Sequence, residues 1–381
     1  MKKKFISLGL ALAMLLGVAG CNITTPATVG SIGGVEIPAG IYLLAQYNAY
    51  STAASNADLA TGETSQDVSA VLKASVTGTI GDEEVTTDGA DYISRLTLRA
   101  IEYYAAVETK FDELGATLED AATSEAAENA DSMWESNGDL YEANGISKDT
   151  LEAYLLNSQK AQACLEYMYG ENGQQPVTEA EYEEFLENDC RFVDALFLPL
   201  MDTSTYAFAS SEQAASIDSL ADECLADLQS GAPADANSTS AYMVMYQAAL
   251  EYVPEAMEIL GSTDFDKSQS MYYFGSQLYT PSTLASYDDG NGGNTITDAL
   301  DAAGYGQWVK VNLGTSIALM RKVDPLQQGT VSNYQTQYDL LSELKSDDFT
   351  NELYAEGAAM EHNLSDSAMN TYKASNIKRK V

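Results

Sequence analysis

The longest feature of this sequence is a series of amphipathic helical patterns that occupies residues 91–188. Apolar residues recur there every three to four positions, the spacing that places them on one face of an α-helix. No alternation of apolar and polar residues, the pattern of a half-buried strand, interrupts this stretch. We therefore predict a helical region, with helices at about 91–114, 118–137, 147–168 and 178–188.

A different pattern begins at Arg191 and predicts a mixed domain of strands and helices. Arg191 to Leu198 is a short apolar run typical of a strand, and two further short runs lie on either side of a turn at Gly314. After Pro325 a helical pattern returns over 334–360. The elements predicted for the mixed domain are strands at 191–198, 309–311 and 316–320 and a helix at 211–229.

These patterns together predict an α+β fold that is mostly helical. A short hairpin over 29–38, with a Gly-Gly turn, precedes the first helix, and residues 51–90 suit a loop or a small β-structure. Because the β-containing segment lies between helical ones, we expect the helices to pack together and the middle domain to be an insertion. The predicted divisions are a signal peptide at 1–21, a helical region at 22–189, the mixed domain at 190–326 and a C-terminal helical segment at 327–381 that packs on the N-terminal region.

The N-terminus has the features of an export signal. Three lysines at positions 2–4 precede a mostly apolar run, Phe5 to Gly20, that is too short to span a bilayer core. The run ends in Val18-Ala19-Gly20-Cys21, which resembles the lipobox of bacterial lipoproteins. That resemblance implies that Cys21 carries a lipid and anchors the protein to the cell membrane on its extracytoplasmic face. The alternative is an ordinary secretory signal with a chance cysteine.

The charge balance excludes one class of partner. The chain has 57 acidic residues against 19 basic ones, a formal net charge of −38 at pH 7. Such a chain lacks the cations that neutralise phosphates, so we expect no nucleic acid partner. An anionic lipid surface also repels it, so attachment to the membrane depends on the lipid anchor. The acidic surface serves solubility, or it keeps a binding surface from self-association or attracts basic clients.

Side chains with catalytic or metal-binding chemistry are scarce. Cys164, Cys190 and Cys224 remain after the signal, and an odd, widely spaced set favours buried free thiols, although two of them could pair in an oxidising compartment. His362 is the only histidine, so most His-based metal sites are excluded and any nucleophile–histidine dyad depends on it. We predict no catalytic residue, no metal and no cofactor.

Several segments, in their order along the chain, resemble the PrsA and SurA class of extracytoplasmic foldases. They are similar to the opening hairpin of that class, to two short sequence motifs that precede its isomerase domain, and to the end of a parvulin (PpiC-like) domain. The segments are Val29 to Ile37, Asn144 to Ser147, Pro176 to Glu181 and Ile296 to Val323. The resemblance implies a helical SurA/PrsA-like chaperone region with an inserted parvulin-like α+β domain.

The two histidines of the parvulin pocket have no counterpart in this sequence. The first-strand position falls at about Ala195 or Leu196, and the last-strand motif stands as Gly314-Thr315-Ser316-Ile317. The resemblance therefore implies a degenerate parvulin-like domain, in which a peptide groove remains without proton-handling groups. The missing histidines argue against peptidyl-prolyl isomerase activity.

The resemblance implies a membrane-anchored extracytoplasmic chaperone that binds unfolded or extended exported polypeptides without isomerase catalysis. Tyrosine is the prevalent aromatic residue, 24 against nine Phe and two Trp, and its apolar face and polar tip suit the recognition of extended peptides. Two alternatives stay open, an active isomerase with a rearranged pocket and a solute-binding lipoprotein; the helical stretch at 91–188 argues against the second. The sequence specifies neither clients nor oligomeric state. The candidate peptide-binding residues are Tyr272, Tyr273, Trp308 and Ser316.

Overall fold

The predicted fold class is confirmed by the computed structural model, an α+β structure that is mostly helical. Contacts within the chain define two compact units. The first contains the described residues up to Thr109, 119–159 and those from Tyr354 onwards, and the second contains 110–118 and 160–353. The domain boundaries given above stay predictions. The structure describes residues 26–202, 205–234, 238–262, 264–287 and 295–380.

The described residues form short strands and mostly longer helices. The strands are β1 (Thr28–Ile32), β2 (Val35–Pro38), β3 (Ala57–Asp58), β4 (Ser75–Ile80), β5 (Glu83–Asp88), β6 (Arg191–Pro199), β7 (Met201–Asp202), β8 (Ala207–Phe208), β9 (Phe274–Tyr279), β10 (Val309–Asn312), β11 (Ser316–Val323) and β12 (His362–Leu364). The α-helices are α1 (Ala39–Ser55), α2 (Val68–Lys73), α3 (Gly89–Leu114), α4 (Asp120–Ala143), α5 (Lys148–Tyr169), α6 (Glu179–Asn188), α7 (Ser211–Gly231), α8 (Ser238–Leu260), α9 (Pro281–Ala285), α10 (Thr295–Ala302), α11 (Val331–Gln335), α12 (Leu340–Ala359) and α13 (Asp366–Thr371). Within the described ranges, no helix combines the length and apolar character needed to cross a membrane.

The predicted N-terminal hairpin is confirmed, and a strand from the end of the chain joins it. β1 and β2 pair around Gly33 and Gly34, whose φ angles of +59° and +86° are typical of a type I′ turn. β12 pairs antiparallel with β1, with Ser31 opposite Asn363, so the sheet order is β12-β1-β2. The last segment of the chain therefore completes the sheet that the first segment begins.

Helices α1 and α3 form the centre of the first unit. Ile41 of α1 shares a buried cluster with Ile101 of α3, and Tyr50 of α1 shares another with Ile93 of α3. Between these helices, residues 51–90 form α2 and a small antiparallel sheet with the order β3-β4-β5. Of the two alternatives predicted for this segment, a loop or a small β-structure, the structure shows the small β-structure.

The second unit is built on a four-stranded antiparallel sheet with the order β10-β11-β6-β9. β6 and β11 lie at its centre, and successive side chains of β6 point to opposite faces of the sheet. On one face Leu196 and Leu198 pack in a cluster with α7 and α8. On the other face Val193 and Ala195 pack in a cluster with α10. The sheet is therefore covered on both faces.

A buried ion pair crosses the centre of this sheet. Asp194 of β6 lies opposite Arg321 of β11, both side chains are inaccessible to solvent, and Nη2 and Nε of Arg321 each lie 2.9 Å from Oδ2 of Asp194. The Ser276 hydroxyl donates to Oδ1 of Asp194 over 2.5 Å, and Nη1 of Arg321 donates to the Pro233 carbonyl over 3.2 Å. Two buried charges are tolerated only when such partners replace the lost water.

The helix predicted over 118–137 agrees with the structure, because the chain leaves the helical conformation at Asn137, with φ −142° and ψ 19°, and a second helical segment runs from this kink to Ala143. Two other helical regions differ from the sequence analysis. The helix predicted over 334–360 is two helices, α11 and α12, because the Asp339 carboxylate accepts the N–H of Ser342 over 3.1 Å and starts a new helix there. Helix α8 was not predicted, and it contains Pro254, a residue that usually ends a helical pattern.

The three cysteines of the described chain are buried, and none of them forms a disulfide. Cys164 and Cys224 are inaccessible to solvent and Cys190 is nearly so. Burial raises the pKa of the Cys190 thiol and that of the Cys224 thiol to about 12. Both thiols are therefore neutral at physiological pH and unsuited to nucleophilic chemistry.

Candidate peptide-binding groove

The residues predicted from sequence to form the site lie in different surroundings. Cys21 is outside the described residues. The Tyr272 side chain is 79% exposed at the end of a short 3₁₀ turn. Tyr273 is half-buried, and its carbonyl accepts the N–H of Phe197 over 2.7 Å. Ser316 is half-buried at the start of β11.

Trp308 belongs to the core of the second unit. Its side chain is 5% exposed, and its indole N–H donates to the Ala232 carbonyl over 3.0 Å. Tyr273 and Ser316 lie beside the same end of β6, next to Phe197 and opposite Pro199, respectively. Trp308 precedes β10 at the end of β11 opposite Ser316, and its side chain belongs to the hydrophobic cluster against which Tyr273 packs.

A cavity in the first unit is a candidate site. Its volume is about 410 Å³, within the range of known ligand sites. Helices α1, α3 and α5, the end of α12 and the β4–β5 hairpin line it. We call it the tyrosine groove. Its lining residues are Ile41, Ala45, Asn48, Ala49, Thr52, Thr79, Gly81, Leu96, Arg99, Ala100, Tyr103, Tyr104, Tyr154, Asn157, Ser158 and Tyr354.

Small side chains on facing helices leave the space for this groove. Ala45 and Ala49 are one turn apart on α1 and share its face with Ile41, and Ala100 lines the groove from α3. An alanine side chain ends at Cβ, so these positions leave a channel between helices that larger residues would fill. The longer tyrosine side chains of α3, α5 and α12 form its borders.

The rings of Tyr103 and Tyr354 and the guanidinium of Arg99 form part of the groove wall. The rings of Tyr103 and Tyr354 lie 4.8 Å apart between centroids, at an angle of 41°. The Arg99 guanidinium carbon lies 3.7 Å from the centroid of the Tyr354 ring, within the range of a cation–π contact. The three side chains hold one another in place, so this wall is preformed.

A buried amide provides a hydrogen-bonding group in the groove. Asn157 is 4% exposed, and its Nδ2 donates to the Tyr104 carbonyl over 3.1 Å and to Oε1 of Glu108 over 2.9 Å. Both N–H groups are thereby used, and Oδ1 is left to accept an N–H from a bound molecule. Burial and the nearby Glu108 raise the pKa of Tyr104 to about 12, so its phenol stays neutral.

The charge of the groove is opposite to that of the chain. Among the described residues that line it there is no Asp or Glu, and Arg99 is the single charged side chain. Glu102, three residues further along α3, is buried and contacts His362, with 3.4 Å between Oε1 and Nε2. Burial raises the pKa of Glu102, while His362 and Arg99 act in the other direction. A chain with a net charge of −38 thus keeps carboxylates off this surface.

The lining has the chemical groups of a binding surface. No histidine, cysteine or carboxylate lies among the described lining residues. The groove offers apolar surface, tyrosine rings, amide and hydroxyl groups and one guanidinium. That combination suits a molecule with apolar side chains and a hydrogen-bonding backbone, such as an extended peptide.

Sequence reasoning missed the tyrosine groove because its residues have the helical spacing of core positions. Tyr103 and Tyr154 lie on the apolar faces of predicted helices and were interpreted as core. The adjacent pair Tyr103-Tyr104 was one signal of the groove. Adjacent residues of a helix point about 100° apart, so the two rings cannot both fill one narrow core contact, and at least one of them is expected outside it. The contribution of Tyr354, from the far end of the chain, has no local signal.

Comparisons with known proteins give a similarity in structure and none in sequence. No protein-family model matches the sequence, and no curated protein shows significant similarity to it. Among solved structures, the chain is similar to the foldase protein PrsA from Streptococcus pneumoniae str. Canada MDR_19A. The match covers 78% of this chain and 98% of that one, with 10% identical residues and a TM-score of 0.37.

Proposed function

We propose that this protein is a membrane-anchored extracytoplasmic chaperone that binds unfolded exported polypeptides in the tyrosine groove. The observation that carries the proposal is the lining of that groove, which has four tyrosines and no carboxylate in a chain with a net charge of −38. Acidic residues are frequent along the chain, 57 in all, and none of them lines this cavity. We take this difference in composition as support for contact between the cavity and another molecule.

The chemistry of the groove matches that of an unfolded chain. Tyrosine rings contact apolar side chains of any shape at a small cost in rotamer entropy, and each phenol hydroxyl adds a hydrogen bond. The accepting Oδ1 of Asn157 can bind a peptide N–H, a group that every client carries. These contacts favour recognition of extended backbone with apolar side chains and do not require a particular sequence.

The acidic surface and the lipid anchor fit the same role. A large net charge of one sign keeps a protein that holds an apolar client soluble, because loaded molecules repel one another. The lipid on Cys21 would hold this body at the extracytoplasmic face of the cell membrane, where exported polypeptides emerge. Two acyl chains give the stable attachment that a single chain does not.

The proposal includes no isomerase catalysis. The positions that carry histidine in the parvulin pocket are Ala195 or Leu196 and the segment Gly314 to Ile317, and neither contains a proton-handling side chain. We expect the chain to change the rate of a proline-limited refolding reaction by less than about tenfold, a difference of about 1.4 kcal/mol in barrier.

The test is the suppression of aggregation by a chain of residues 22–381, which includes every residue that the structure describes. It should reduce light scattering by an unfolded exported polypeptide. Tyr154→Ala should weaken this effect, because Tyr154 lines the groove. Tyr167→Ala is the matched control, since both tyrosines are on α5 and both are 40% exposed, but Tyr167 does not line the groove. Equal loss in the two variants, or no suppression by the unmodified chain, would contradict the proposal.

A further inference from the structure

The guanidinium of Arg99 lies between an aromatic ring and a glycine turn. The Tyr354 ring lies over it, with 3.7 Å between Cζ and the ring centroid. A Cβ placed at Gly81 would lie 3.2 Å from Nη1, 3.4 Å from Cζ and 3.5 Å from Nη2, so the missing side chain leaves the guanidinium its space beside the turn. Among the described residues, none accepts a hydrogen bond from the N–H groups of Arg99, so these donors are left for other contacts.

Gly81 is required at this turn for two reasons. Its φ of +64° lies in the left-handed region, which side chains disfavour. A side chain at this position would also press on the Arg99 guanidinium. The turn between β4 and β5 thus leaves to the cation the space that a side chain at this position would take.

Arg99 has no carboxylate partner within ion-pair distance among the described residues. Arg321 is paired with Asp194 and Arg191 with Asp301. The half-buried Arg379 has no carboxylate partner either, but its Nη1 donates to the hydroxyls of Tyr47 and Ser51. The carboxylate that interacts electrostatically with Arg99 is Glu102, which instead contacts His362. Arg99 is thus the half-buried arginine that has neither an ion pair nor a hydrogen bond to another described residue, and this makes it an open binding position.

We infer that the edge of Arg99 binds the side-chain carboxylate of an Asp or Glu in the client, next to apolar residues that contact Tyr103 and Tyr154. The inference rests on the proposed function and names the peptide class that the groove prefers. A guanidinium edge presents two parallel N–H donors, the geometry that a carboxylate accepts in a bidentate pair. An unfolded client offers many acidic side chains and a single C-terminal carboxylate, so the side chain is the occupant.

The test compares two peptides that differ in one group. They are acetyl-Ser-Leu-Tyr-Asp-Leu-Phe-Ser-amide and the same peptide with Asn in place of Asp, titrated calorimetrically into the 22–381 chain. The Asp peptide should bind about tenfold more tightly, the effect of one charge-assisted pair. Arg99→Gln should remove this difference. Arg95→Gln, one turn earlier on α3 at an exposed position outside the groove, changes the net charge equally and should preserve it.

Three other results would overturn the inference. Equal binding of both peptides to the unmodified chain means that the groove binds peptides without reading a carboxylate, and the proposed function then stands. Binding of the Asn peptide that tightens about tenfold when its C-terminal amide is replaced by a free carboxylate, and that depends on Arg99, assigns this position to a chain terminus. Binding of neither peptide contradicts the proposed function and the inference with it.

Discussion

The guanidinium carbon of Arg99 lies 3.7 Å from the centroid of the Tyr354 ring, and this contact joins helix α3 to the end of helix α12. The same ring packs on Tyr103, 4.8 Å away between centroids. One side chain from the last part of the chain thus orients both the cation and an aromatic wall of the tyrosine groove. The binding surface therefore depends on the return of the chain to its first unit.

Removal of the Tyr354 ring should destabilise the first unit. Tyr354→Ala deletes one aromatic pair and one cation–π contact, so we expect a loss of about 1–3 kcal/mol in the free energy of unfolding. Tyr354→Phe keeps the ring and should lose less than half of that. Urea denaturation of both variants measures the difference, and an equal effect of the two substitutions would contradict the role given to the ring.

The buried pair of Asp194 and Arg321 should show strong coupling. Arg321→Met leaves a carboxylate unpaired in the core, and Asp194→Leu leaves a guanidinium, so each variant should lose about 3–5 kcal/mol of stability. The double variant should be more stable than either single one, because no unpaired charge remains. Chemical denaturation of the unmodified protein, the two single variants and the double variant gives the four free energies of unfolding of a double-mutant cycle. Additive losses in the double variant would show that the two side chains act separately.

The stability of the first unit should carry a pH dependence from Glu102. Burial raises the folded-state pKa of this carboxyl above its unfolded value, so the folded chain binds the proton more tightly. The contribution of Glu102 to the free energy of unfolding therefore increases as the pH falls through the folded pKa towards the unfolded one, and decreases as the pH rises.

Glu102→Gln removes that ionisation and should benefit stability more at pH 7 than at pH 4.5, near the ordinary pKa of a glutamate. Thermal unfolding at the two pH values measures the change. Glu125→Gln, at an exposed position of helix α4 in the same unit, controls for the loss of one negative charge. A benefit from Glu102→Gln that is larger at pH 4.5 than at pH 7 would contradict this sign.

Membrane attachment should depend on Cys21. The apolar run before it is too short to span a bilayer core, so we expect attachment to require the lipid. Cys21→Ser, exported behind an ordinary secretory signal in place of residues 1–20, should be recovered in the soluble fraction, whereas the unmodified chain should sediment with membranes. Cleaved Cys21→Ser protein that still sediments would contradict lipidation as the anchor.

Local patterns account for the parts of the fold that were predicted. The spacing of apolar residues on α3 and the glycine pair at positions 33 and 34 each specify a structure within a few residues, so a helix and a hairpin could be predicted there. Helix α8 could not, because Pro254 mimics a helix end although the surrounding core keeps the helix continuous.

The binding groove depends on contacts between distant parts of the chain, which local patterns do not reveal. Arg95 and Arg99 are equivalent in the sequence, one turn apart on the same predicted helix. In the structure, Arg99 contacts the Tyr354 ring beside the turn at Gly81, whereas Arg95 is exposed. Trp308 shows the converse case, since an aromatic residue that looked available for a peptide lies in the core of the second unit.

The most direct test of the central claim is photo-crosslinking from within helix α5. A p-benzoyl-phenylalanine residue is placed either at Tyr154, in the tyrosine groove, or at Tyr167, an equally exposed position of the same helix outside it. Each protein is then illuminated with an unfolded exported polypeptide. The proposed function predicts crosslinks to the polypeptide from position 154 and few from position 167. Equal crosslinking from the two positions, or none from 154, would contradict the groove as the site where clients bind.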